Sequence, residues 1–116
     1  MPRGARIHSG ADLRRLLAHG KRRTTPCLEV FVADSPAPHS RLGLIVPKLG
    51  RRIVDRNLLK RRLREIGRTQ LLPGLAADGK RLDVLIRARG RAYGADFETL
   101  AREAGAAVEG LCSAGS

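Results

Sequence analysis

Residues 48–65 hold the densest run of cations in the chain, and their spacing suits the holding of phosphate. Arg56, Lys60 and Arg64 stand at i, i+4 and i+8. On a helix that spacing stacks their charged heads about 6 Å apart, a ladder able to track successive phosphates. Arginine adds a planar fork that grips phosphate oxygens in pairs and can stack on bases, whereas lysine acts as a compact point charge. Asn57, between them, offers both a donor and an acceptor for a base edge or a 2′-hydroxyl. At about 100° per residue, Arg56, Asn57, Lys60, Arg61, Arg64 and Arg68 share an arc of about 140°. Leu58, Leu59, Leu63 and Ile66 share another, and only Arg62 breaks the segregation. A face kept polar merely for solubility mixes signs, yet no acid falls on this basic arc. With Lys48, Arg51 and Arg52 leading into it, the pattern reads as a polyanion-binding helix.

The rest of the composition agrees. The chain has 116 residues, 23 Lys+Arg against 11 Asp+Glu and a formal charge of +12. Residues 51–68 alone carry eight of the cations and two of the acids. Such a focused field attracts polyanions, whose condensed counterions are released on binding, and nucleic acid is the leading partner. A membrane-surface role requires exposed bulky apolar or aromatic residues, and the chain has one Tyr, two Phe and no Trp. No apolar run reaches the roughly 18–20 residues that span a bilayer, and no apolar signal core follows Met1, so a cytoplasmic protein is expected. Cys27 and Cys112 lie far apart with no metal-ligand spacing and read as reduced thiols. His8, His19 and His39 are isolated, and no carboxylate pair or Ser-His-Asp pattern stands out. No catalytic residue, protein-held metal or organic cofactor is therefore expected.

The elements that must position the basic helix can be read in order. Ser9 is a suitable cap for a helix over 10–19, with Leu13, Leu16 and Leu17 on one face and Gly20 ending it. Strands are expected at 27–33, rich in β-branched and aromatic residues, at 41–46, and at 81–88. The basic helix is expected over 55–71, with Pro73-Gly74 ending it and a loop over 75–80. Gly90 and Gly94 bracket a turn. A final helix, capped by Asp96, carries Phe97, Leu100, Ala104, Val108 and Leu111 on one face. The whole is read as one RNA-binding domain over 1–116, with 1–6 and 112–116 flexible. The class is α+β, in the order α-β-β-β-α-β-α, a sandwich in which helices pack a four-stranded mixed sheet, one strand more than the three segments placed above.

The basic stretch resembles the signature helix of the bacterial ribonuclease P protein component, in which Arg-Asn-x-x-Lys-Arg-x-x-Arg follows a strand and a Lys- and Gly-bearing turn. Here Val46, Lys48, Gly50, Arg56, Asn57, Lys60, Arg61 and Arg64 stand at that spacing. The likeness extends over residues 6–111 through the Gly20-Lys21-Arg22-Arg23 run, the Arg41-Leu42-Gly43-Leu44 and Asp83-Val84 strands and the Phe97/Leu100 helix. It implies a small basic subunit of an endoribonuclease whose RNA subunit carries the catalysis, removing the 5′ leader of precursor tRNA. It also implies Mg²⁺ held mainly by that RNA, and a left-handed strand-helix-strand crossover, against the usual rule. By the same resemblance Arg51, Arg52, Arg56, Asn57, Arg61 and Arg68 face the RNA subunit, and Lys48 is a further RNA-binding candidate. Lys60 and Arg64 border a leader cleft between the first helix, the sheet and the signature helix, where Leu13, Leu17, Lys21, Arg22, Arg23 and Phe31 are further candidates.

Two departures stand out. The family often has Arg directly after the Asn, where this chain has Leu58 on the apolar arc, and it commonly places aromatics on the first helix and cleft strand. Phe31 is left as the chief candidate for stacking on leader bases. A ribosomal-type protein that binds structured RNA generically is the main alternative, sharing charge and size. A DNA-binding helix-turn-helix protein fits less well because a strand, not a helix, precedes the basic helix, so DNA is not an expected partner. A stand-alone nuclease would need acids or histidines of its own.

Overall fold

The computed structural model describes residues 5–7 and 9–114. The first helix, α1 (Gly10–His19), opens where Ser9 Oγ accepts from the Asp12 N–H, and it ends at Gly20. Four strands follow, interrupted by the basic helix: β1 (Lys21–Thr24), β2 (Leu28–Asp34), β3 (Arg41–Ile45) and β4 (Leu82–Ala88). They form one sheet in the order β1-β2-β4-β3. The pairs β1·β2 and β2·β4 are antiparallel and β3·β4 is parallel, giving the expected mixed sheet. Its β1 is the basic run after Gly20, whose charges hide a strand signal because it lies at a sheet edge with every residue exposed.

Parallel neighbours β3 and β4 require a long crossover, supplied by α2 (Ile53–Ile66), a π-helical turn (Gly67–Leu71) and α3 (Leu72–Ala77). This corrects the expected stop at Pro73-Gly74 and the loop over 75–80. Pro73 removes one N–H, but it follows directly on the π-helical turn, where the Leu72 N–H still reaches back to the Gly67 carbonyl. The ladder widens to π before the proline instead of stopping, and Leu71 and Leu75 still reach the core. Thr69 helps by donating its hydroxyl to the Glu65 carbonyl at 2.7 Å. A Cβ added to Gly67 would lie 2.3 Å from Leu42 Cδ2, and Leu42 is itself buried in β3. Gly67→Ala is therefore expected to cost about 1–3 kcal/mol by overpacking, read by chemical denaturation; an unchanged midpoint would show that Leu42 can yield.

Alternation along the strands divides the core in two. Leu28, Val30 and Val32 of β2, with Val84, Ile86 and Ala88 of β4, pack beneath Leu59, Leu63 and Ile66 of α2 and Leu100, Ala104 and Val108 of the last helix. That helix, α4 (Phe97–Ala114), begins after a short 3₁₀ turn (Gly90–Gly94), and Asp96 Oδ1 accepts from the Thr99 N–H at 2.8 Å. On the opposite face Phe31 and Leu85 meet Ile7 and Leu16, with Leu13 and Leu17 half-buried at the margin. Helices thus cover both faces of the sheet.

Both ends join the fold where they are described. Arg6 forms a bridge with Leu42, the Ile7 N–H donates to the Leu42 carbonyl at 2.9 Å, and α4 carries Cys112 as far as Ala114. Residues 1–4, 115 and 116 of the ends expected to be flexible, and His8, lie outside the described residues. Cys27 and Cys112 are free thiols. Burial pushes the Cys27 thiol up, as does the neighbouring Glu103 carboxylate, which accepts from the Cys27 N–H at 2.9 Å.

One buried charge fastens α1 to the sheet. Asp83 is wholly buried. It accepts from Arg41 through Nε at 2.9 Å and Nη2 at 2.7 Å, and from Arg15 Nη2 at 3.0 Å. Arg41 also reaches Asp12 at 3.3 Å. Hydrogen bonding to Asp83 raises the Arg41 guanidinium above its ordinary value, outweighing the opposite effect of burial.

Candidate nucleic-acid interface

The basic helix presents its cations as the wheel requires, because β3, α4 and the 3₁₀ turn cover only the stripe of Leu59, Leu63 and Ile66. Arg51, Arg52, Asn57, Arg61 and Arg68 are exposed, and Arg56, Lys60 and Arg64 are half-buried. Arg56 Nε is shielded and has no hydrogen-bond partner among the described residues. The N terminus of α2 has no side-chain cap, so the positive end of the helix dipole lies on the same side as Arg51 and Arg52. Arg62, the exception on the wheel, points inward and donates to the Ala95 carbonyl at 3.2 Å.

Two cations are less free than the sequence implied. Glu65 chelates Arg68 one turn away, and this contact holds the carboxyl of Glu65 below its usual range. Arg52 contacts Asp55 at 3.4 Å. Acids therefore lie at both ends of the basic arc, and its uncompensated stretch is Arg56 to Arg64.

The loop entering α2 is built to present cations. Leu49 and Gly50 both adopt left-handed conformations, with φ of 46° and 72°. The Arg51 N–H closes the turn on the Lys48 carbonyl at 2.8 Å, and Lys48 projects from it exposed. Tyr93 braces this loop, donating its hydroxyl to the Pro47 carbonyl at 2.7 Å while the Arg51 guanidinium lies 4.8 Å from its ring centroid. Nothing in the local spacing of the sequence connects Tyr93 to this loop.

The cleft candidates do not all meet. Lys60 and Arg64 line a cavity of about 210 Å³ at the outer edge of β3, with Arg6, Ile7, Leu42, Gly43 and Leu44. Arg6 is thus a third cation in that cavity, contributed by the short bridge to β3. The three basics of β1 are split by strand alternation at the opposite edge of the sheet. Lys21 and Arg23 pair with Val32 and Val30, so they fall on the α4 side, where Arg23 lies against Gly110. Arg22 pairs with Phe31 and alone shares the α1 face. Lys21 and Arg23 are therefore removed from a cleft on that face, and three strand spacings separate Arg22 from Lys60 and Arg64.

Phe31 needs a second correction. Its ring is 2% exposed, enclosed by Ile7, Leu16 and Leu85, with the Arg87 guanidinium 5.4 Å from its centroid. Both sheet faces are covered here, so the ring is core and offers no face to a base. The polar groups beside it are Glu29 and Arg87, which pair at 2.9 Å, while Arg22 approaches Glu29 at 3.7 Å. Sequence reasoning passed over both, although period-2 alternation from Leu85 would have put Arg87 on this face. Leu58 is also displaced from its expected place: it is 42% exposed, outside the core stripe.

Among the described residues no group of three or more His, Cys, Asp or Glu is gathered as a metal site, and no helix is long and apolar enough to cross a membrane. The family model of ribonuclease P matches residues 1–111. The ribonuclease P protein component of Micrococcus luteus is 35% identical over 115 residues, covering 89% of this chain and 84% of that protein. In three dimensions the chain is similar to the Staphylococcus aureus RNase P protein, with a TM-score of 0.71 at 22% identity, covering 97% of this chain and 95% of that one. It is similar too to the RNase P protein from Thermotoga maritima, with a TM-score of 0.68 at 25% identity, covering 84% and 88%. With the family pattern running through nearly the whole sequence and the same fold carrying it, the chain belongs to the ribonuclease P protein family.

Proposed function

We propose that this chain works in the cytoplasm as the protein subunit of a ribonuclease P ribonucleoprotein. It binds the catalytic RNA subunit through the exposed stripe of α2 and promotes Mg²⁺-dependent endonucleolytic removal of the 5′ leader from precursor tRNA. The observation that carries this reading is the stretch from Arg56 to Arg64, a half-turn-wide row of cations and Asn57 on a helix whose other side is anchored in the core. Rows of this kind bind a folded RNA by phosphate contacts and counterion release. Lys60, Arg64 and Arg6 form a second group, at the β3 edge, suited to the phosphates of a single strand such as the leader. Divalent ions are assigned to the RNA, because several of this chain's carboxylates are engaged by its own arginines: Asp83 by Arg41 and Arg15, Glu29 by Arg87, Glu65 by Arg68.

The test is cleavage of a precursor tRNA by a bacterial ribonuclease P RNA at low Mg²⁺, with and without the protein, beside a protein-only control. Stimulated cleavage at the mature 5′ end with a silent control is the expected result. Tight RNA binding without stimulation would point instead to a generic, ribosomal-type RNA binder, and cleavage by the protein alone would place the chemistry in its own side chains.

A further inference from the structure

The four large apolar side chains that stand exposed among the described residues lie in one short stretch: Leu49 (59%), Ile53 (67%), Val54 (66%) and Leu58 (42%). They occupy the loop before α2 and its first turn and a half. Val54 and Leu58 are one turn apart on the same side, and Ile53 lies beside Asn57. Leu49 is presented by a left-handed backbone, φ 46°, a conformation that disfavours any residue but glycine. A soluble protein with a covered core has no stability reason to keep this patch open, which marks it as a contact surface.

Its rim identifies the partner. Lys48, Arg51, Arg52 and Arg61 surround the apolar side chains, all exposed, and the nearest acid, Asp55, is turned about 100° from Val54 on the wheel and faces Arg52. A second copy docking on the same patch would bring two such rims face to face, so self-association is disfavoured. A polyanion fits the rim, and a nucleic-acid duplex offers only phosphate and sugar outside its grooves. Apolar surface becomes available where nucleosides are unpaired and splayed, exposing base faces and ribose carbons.

Resting on the proposed function, we infer that this patch seats unpaired nucleosides of the ribonuclease P RNA, base face against Ile53, Val54 and Leu58, while the flanking arginines hold the adjoining phosphates. The RNA subunit is the source, not the precursor leader, because the leader-type cavity of Lys60, Arg64 and Arg6 lies at the β3 edge, about 10 Å along the helix from Ile53 and about 160° around it from Leu58. Leu58 then does a different job from an arginine at that position: it extends the apolar seat instead of adding a phosphate contact.

Apolar and ionic contacts separate cleanly in a salt titration, since covering a base releases no counterions. The experiment measures binding of the RNA subunit to the full chain and to Ile53→Ser/Val54→Ser over a range of salt, with chemical probing of the unpaired bases. The double variant should bind about tenfold more weakly at every salt concentration with an unchanged slope. A set of bases protected by the parent chain should become reactive, and Ile53→Leu/Val54→Ile should restore both. Thermal unfolding should hardly change, because both residues are exposed. Equal affinity, or a slope flattened by a charge's worth, overturns the inference while leaving the proposed function intact. So does weakening seen only for precursor tRNA. Failure of the parent chain to bind the RNA subunit overturns both.

Discussion

Replacing Arg56 and Arg61 together by alanine should weaken binding to the ribonuclease P RNA about 100-fold at low salt and make the remaining affinity less dependent on salt. The two side chains lie on the uncompensated middle of the α2 stripe, away from the pairs Arg52–Asp55 and Arg68–Glu65. Each hydrogen bond to a charged group is worth roughly 1.5–3 kcal/mol, so two arginines together reach about the hundredfold range. Each phosphate contact also releases about 0.7–0.9 of a counterion, so the slope of log K against log salt should fall by about 1.4–1.8. Alanine favours the helix, and neither side chain belongs to the core, so thermal unfolding is the control that should move little. An unchanged slope would show that neither arginine touches phosphate. Arg52 and Arg68 replaced in the same way should have the smaller effect, since each already meets an acid of its own helix.

Replacing Asp83 by alanine should destabilise the protein by about 3–5 kcal/mol, a drop in Tm of roughly 15 °C or more. Asp83 is the wholly buried acceptor between Arg41 of β3 and Arg15 of α1. Its removal leaves the largely covered Arg41, 15% exposed, beside β4 with Asp12 at 3.3 Å as its remaining acidic partner among the described residues. The cost comes from the uncompensated charge more than from the lost bonds, which sets up a second variant. Asp83→Leu/Arg41→Met removes both charges and should recover much of the loss. If Asp83→Ala costs less than about 1 kcal/mol, or the double variant is no better, the triad does not hold α1 to the sheet. Asp83→Ala should also impair the precursor cleavage assay through folding, so activity is compared at temperatures where the variant is still native.

What the sequence by itself determined were the features set by local periodicity and charge. The wheel of residues 55–68 placed Leu59, Leu63 and Ile66 inside and Arg61 and Arg68 outside, because helical repeat alone assigns those faces. Ser9 and Asp96 announced two helix starts by the same local chemistry, and the spacing from Val46 through Arg64 identified the family. What only the tertiary structure decided was which of two possible faces each remaining residue meets, and what covers it. Strand alternation divides Lys21, Arg22 and Arg23 between two sides, but which side is the α1 side depends on pairing with β2, a partner the basic run does not name. Phe31 looked available for stacking until α1 and the Arg6–Ile7 segment closed over its face of the sheet. Nothing in the expected strand over 81–88 marks Asp83 as the acceptor that Arg15 and Arg41, brought from 68 and 42 residues away, surround. Leu58, at the margin of the apolar arc, is exposed for the converse reason: the elements packed against α2 are narrow and leave its first turns uncovered. Periods repeat within an element and are legible there, whereas burial belongs to pairs of elements and exists only once the chain has folded.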